Sequence, residues 1–140
     1  LLQRKIGWKN LGIIVLFIAV LITFTDQITN LFKNGFQRLR PCNVAEFDGI
    51  MRKVITRKSF SFFSGHAANS MASTMFIFLL IRKYYKHTYL LFFFPLIFAY
   101  SRIYFGLHFP GDILTGYLFG GIFGFGCYKI YNHFSKKYNW

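Results

Sequence analysis

With 140 residues, 54% of them hydrophobic and 22% aromatic, the chain has room for one domain and is too apolar for disorder. Only 15% of its residues are charged, yet 17 Lys and Arg stand against 4 Asp and Glu, a formal net charge of +13. That balance suits nucleic acid, an anionic membrane surface or a phosphorylated substrate. Placement argues against nucleic acid, because the basic residues form short clusters between long apolar runs rather than a stripe along one element.

In chain order, Leu11 to Phe32 gives 22 residues whose only charge is Asp26, which predicts a first spanning helix over 11–32. Gly65 to Ile81 supplies 17 uncharged residues for a second. Tyr89 to Tyr100 lies within a third, over 88–100, and Ile113 to Tyr128 within a fourth, over 111–131. The expected fold is an all-α integral membrane helical bundle with about four spanning helices. The chain opens at Leu1, with Gln3-Arg4-Lys5 and no initiator Met or signal-peptide cleavage site. It is therefore read as a single domain over 1–140, trimmed at the N-terminus. Two cysteines make no disulfide framework: Cys42 is expected as an accessible loop thiol and Cys127 as a thiol buried in the last helix.

Parity places the loops. If the first helix ends on side X, the segment 33–63 and the turn 101–110 lie on X, while the turn 82–87 and the C-terminus lie on Y. Lys33 to Pro41, Ser64 to His66 and Ser101 to Asp112 then meet at one face. Side Y holds Arg4, Lys5, Lys9, Arg82, Lys83, Lys86, Lys129, Lys136 and Lys137, nine basic residues, against five on X once the motif residues Lys33, Arg40 and Arg102 are set aside. The count makes Y cytoplasmic and X extracytoplasmic, in a multi-pass protein of the cell (inner) membrane.

Gly116, Gly120 and Gly124 recur every four residues and predict close helix packing. Ser64 is a good N-cap, Gly65 admits a ligand to the backbone, and the free amides of that first turn suit an anion. Capping does not account for His66, an ionisable group in an apolar bundle. His108 stands four residues before Asp112 at another helix entrance, where the carboxylate can accept from Nδ1 and leave Nε2 free as a nucleophile. A metal site built on His66, His108 and Asp112 is the rival reading. It lacks further acids, with only Glu46 and Asp48 left on side X, and the converging basic residues would repel a cation. No cofactor is expected.

The three segments K-x6-RP (Lys33 to Pro41), SGH (Ser64 to His66) and SR-x5-H-x3-D (Ser101 to Asp112) together resemble the type 2 phosphatidic acid phosphatase (PAP2) superfamily. The resemblance covers nearly the whole chain and implies the last four helices of a six-helix lipid phosphatase. It implies that Lys33, Arg40, Ser64, Gly65 and Arg102 hold the phosphate, that His108 attacks phosphorus to give a phosphohistidine, that Asp112 orients His108, and that His66 protonates the leaving oxygen. Phe63 departs from the usual Pro before Ser-Gly-His. The implied partners are a lipid phosphate substrate and membrane lipids. Candidate substrates are undecaprenyl pyrophosphate, phosphatidylglycerophosphate, phosphatidic acid and lipid A phosphates. A non-catalytic lipid-binding protein and a proton-relay transporter are the alternatives.

Overall fold

The computed structural model describes residues 7–47, 49 and 58–138. Arg4, Lys5, Asp48, Arg52, Lys53 and Arg57, which enter the charge and acid counts, lie outside the described residues. The first helix, α1 (Trp8–Phe36), turns Ile14, Leu21, Thr25 and Thr29 inward and leaves Val15, Leu16, Val20, Phe24 and Leu31 on its outer surface. It runs beyond 11–32 because nothing between Lys33 and Phe36 breaks it. It stops at Gln37, which takes the left-handed conformation (φ 49°) and donates its N–H to the Lys33 carbonyl at 2.9 Å. Lys33 is thus in the last helical turn, where a cation suits the dipole, rather than in the loop beyond.

Helix α2 (Gly65–Ile81) has the expected limits and begins at Ser64, whose Oγ accepts the Ala67 N–H at 3.4 Å. It is the central helix, with Ala67, Ala68, Ala72 and Phe76 fully buried. Its 17 residues rise about 26 Å, just short of the ~30 Å hydrocarbon layer, and it packs against each of the other three helices. The third segment is not one continuous helix: a 3-10 turn, Thr88–Phe92, passes into α3 (Phe93–Tyr104). Pro95 gives the reason, since its ring clashes with an α turn before it but fits the first turn of a new helix. Helix α4 (Pro110–Tyr138) extends past 131, with Lys136 and Lys137 in its last turn.

The glycine stripe packs α4 onto α2. A Cβ at Gly116 would lie 2.8 Å from the Ser64 carbonyl oxygen, and Cβ atoms at Gly120 and Gly124 would strike the carbonyl oxygens of Ala68 and Ala72. Toward the other end, Phe17 of α1 stacks on Phe76 and meets Tyr131 edge-on. The outer surface is apolar, with Leu114, Leu118, Ile122, Phe125 and Ile130 exposed on α4 as their counterparts are on α1. Helices α1 and α4 are each long and apolar enough to cross a membrane. Among the described residues there is no strand, and the architecture is a four-helix membrane bundle.

Cys42 corrects an expectation. It is 1% exposed, with its N–H donated to the Gly106 carbonyl at 3.0 Å, because the loop after α1 folds back against the turn between α3 and α4.

Candidate active site

After α3 the chain reverses through Gly106, whose φ of 63° suits glycine, and delivers His108 just before Pro110 opens α4. His108 is 3% exposed, and Asp112 is fully buried in the first turn of α4. One Asp112 oxygen accepts from Arg38 Nη1 at 3.1 Å, and the other accepts from the Ser61 hydroxyl and from the Phe109 N–H at 2.9 Å. A buried carboxylate with donors on both oxygens is satisfied as an anion. His108 Nδ1 lies 3.8 Å from Asp112 Oδ2, beyond hydrogen-bond length, and has no hydrogen-bond partner.

The other ring nitrogen is engaged. Arg40 is 5% exposed and spreads its guanidinium over three groups: Nε donates to the Ser59 carbonyl at 2.8 Å, Nη2 to Ser59 Oγ at 2.9 Å, and Nη1 to the Leu107 carbonyl at 3.0 Å. Nη1 also lies 3.2 Å from His108 Nε2. Arginine only donates, so a bond there leaves the Nε2 lone pair as acceptor and assigns the imidazole proton to Nδ1, facing Asp112. Burial pushes the His108 pKa below its ordinary 6.5, Asp112 draws it part of the way back, and the Arg40 and Lys33 cations push it down again; the result is downward. His108 is therefore a neutral imidazole with its lone pair on Nε2, the form a nucleophile requires.

His108 lines a cleft of about 210 Å³ with Pro41 and Pro110, and another, of about 400 Å³, is lined by Lys33, Gly65 and His66 together with Asp26, Asn69 and Phe98. The position of a Cβ on Gly65 is 3.8 Å from Lys33 Nζ, so a side chain there would intrude on the space beside the ammonium. His66 is exposed and its ring centre lies 5.7 Å from that of Phe98. The Arg102 guanidinium carbon sits 4.8 Å over the same Phe98 ring, and Arg102 Nε is buried with no hydrogen-bond partner. The Ser64 N–H donates to the Asp112 carbonyl at 3.1 Å and ties the start of α2 to the start of α4.

Of the eight residues singled out from sequence, His108, Asp112 and Arg40 form one cluster, Lys33, Gly65 and His66 line the larger cleft, Arg102 reaches it through Phe98, and Ser64 joins the two helix entrances. Sequence reasoning missed Arg38 and Ser61, which hold Asp112, and Ser59, which anchors Arg40. Arg38 had a signal: it precedes Arg40 by two in the segment after α1, and alternate residues of an extended chain share a side. Among the described residues, no group of three or more His, Cys, Asp or Glu side chains could hold a metal ion.

Fold and site together define a helical membrane protein with a cluster of basic residues and histidines at one end of the bundle. The chain belongs to the PAP2 superfamily, which it matches over residues 12–136. It is 34% identical over 141 residues to a lipid A 4′-phosphatase of Bacteroides thetaiotaomicron, covering 98% of this chain and 62% of that protein. A lipid A 4′-phosphatase of Porphyromonas gingivalis is 31% identical over 133 residues, covering 93% and 56%. The chain thus spans about three-fifths of the length of these curated relatives. The crystal structure of a transmembrane PAP2-type phosphatidylglycerolphosphate phosphatase from Bacillus subtilis shares the fold, with a TM-score of 0.62 at 21% identity over 94% of this chain and 71% of that one.

Proposed function

We propose that this protein is a metal-independent membrane phosphatase that removes phosphate from a lipid, with a lipid A phosphate as the favoured substrate. The observation that carries the reading is the buried His108 with Arg40 Nη1 at 3.2 Å from Nε2 and Asp112 on the Nδ1 side. The names of the two curated relatives support lipid A over the other candidates. A phosphate entering at Nε2 takes over the Arg40 contact and gains Lys33, Arg102 and the amides that open α2. Nε2 then attacks phosphorus, the bond to the leaving oxygen breaks, and His66 gives that oxygen its proton. Water attacks the phosphohistidine, passes a proton to His66 and releases phosphate, which restores both histidines. Positioning and charge stabilisation dominate phosphoryl transfer, and this set of cations and amides supplies both. The nine-to-five excess of basic residues on side Y supports an extracytoplasmic site in the inner membrane.

The experiment is phosphate release by the purified chain from undecaprenyl pyrophosphate, phosphatidylglycerophosphate, phosphatidic acid and lipid A. Release that persists in EDTA and vanishes in His108→Ala is the expected outcome. Release from none of the four, or release that stops with EDTA and returns with Mg²⁺, refutes the reading.

A further inference from the structure

Asp26 is the only charged residue of α1 between Lys9 and Lys33, and nothing in the scheme above uses it. Its Oδ1 accepts a 2.7 Å hydrogen bond from Asn69 Nδ2, while Asn69 Oδ1 is buried with no hydrogen-bond partner. Both residues line the cleft that holds Lys33 and His66. Asp26 Oδ1 and Lys33 Nζ each lie 3.8 Å from the Cβ position of Gly65, so the carboxylate and the ammonium flank the same point of the cleft.

We infer that Asp26 and Asn69 form a leaving-group subsite that selects lipid phosphates whose leaving group carries hydrogen-bond donors, the hydroxyls and amide N–H of a sugar. The inference rests on the phosphatase reading and narrows its substrate class. A lipid-linked sugar phosphate presents its phosphate first and the sugar ring next, so a phosphate held by Lys33 brings the ring beside Asp26 across the cleft. The leaving group of a polyprenyl pyrophosphate is a second anion, which the Asp26 carboxylate repels. That of phosphatidic acid is a diacylglycerol, whose ester oxygens only accept and so offer nothing to the Asp26 carboxylate. Sugar hydroxyls and an acylated amine donate to that carboxylate, which Asn69 Nδ2 holds in place.

The test compares lipid A phosphate with phosphatidic acid as substrates of the unmodified protein, Asp26→Ala and Asn69→Ala. Truncating a side chain that hydrogen-bonds substrate donors penalises the donor-bearing substrate selectively. In both variants kcat/KM for lipid A phosphate should fall about 10- to 100-fold further than that for phosphatidic acid, mainly through KM. A plain structural bridge between α1 and α2 would instead lower both substrates equally, and that outcome overturns the inference. Asp26→Asn keeps the size and one acceptor; should Asp26→Ala fail to fold, it is expected to show the same selectivity in smaller measure. Hydrolysis of phosphatidic acid but not of lipid A by the unmodified protein refutes this subsite and leaves the phosphatase reading standing. Hydrolysis of neither refutes both.

Discussion

Arg40→Lys is a sharper probe of the site than removal of His108, because it keeps the charge and changes only the geometry. The arginine serves two directions at once, Ser59 through Nε and Nη2, and Leu107 with His108 through Nη1. A lysine ammonium is a single point and satisfies one direction. Ser59 is exposed, so water replaces that contact, whereas Leu107 is buried and its carbonyl is stranded when the ammonium turns away. An unsatisfied buried acceptor costs about 1–3 kcal/mol. If that cost falls on the geometry that presents Nε2 to phosphorus, kcat/KM drops about 5- to 150-fold. The assay is steady-state phosphate release on detergent-purified protein, with a thermal melt to show that Arg40→Lys is folded at the assay temperature. A folded variant with kcat/KM within about twofold of the unmodified protein would refute the reasoning.

Two further predictions follow from burial and packing. His108 has its folded pKa below 6.5, so as pH falls from 6.5 toward that value the unfolded chain binds a proton that the native site refuses. Stability from this group is present above pH 6.5 and lost through that window, and the acid limb of kcat/KM lies below 6.5; an acid limb above 6.5 in a pH–rate profile contradicts the assignment. Gly120→Ala should destabilise the bundle by about 1–3 kcal/mol, because its Cβ meets the Ala68 backbone, whereas the Cβ of Gly121→Ala meets nothing within 4 Å and that variant should melt no lower than the unmodified protein. Equal melting of the two variants would remove the helix-contact explanation.

The parts of the fold legible in sequence were those fixed by apolar length and by small-residue spacing: the run Gly65 to Ile81 became α2 with the expected limits, and the glycines of α4 met the α2 backbone. Helix ends were less legible. Polar residues such as Lys33, Asn34 and Lys136 continue a helix as readily as they end it, and only the geometry at Gln37 shows where α1 stops. The accessible thiol expected at Cys42 failed for a related reason, since hydrogen bonding to Gly106, far along the chain, buries that loop and has no local sequence signal.

The same distinction runs through the site. His108 and Asp112 were visible together because they share one helix entrance, yet their direct contact is loose, and the expected hydrogen bond between them is replaced by a longer arrangement. Asp112 is fixed from outside its own segment, by Arg38 and Ser61, and the His108 tautomer is set by Arg40. Three stretches of chain must therefore arrive in register before the proposed nucleophile is defined. Two packing features supply that register: the α2–α4 glycine contacts and the bond from the Ser64 N–H to the Asp112 carbonyl, at the end of the same stripe that starts with Gly116 under Ser64. The small residues that a sequence reader assigns to packing alone thus set the separation between the helix start that carries His66 and the one that follows His108. The geometry of the proposed active site is a consequence of how closely two helices can approach.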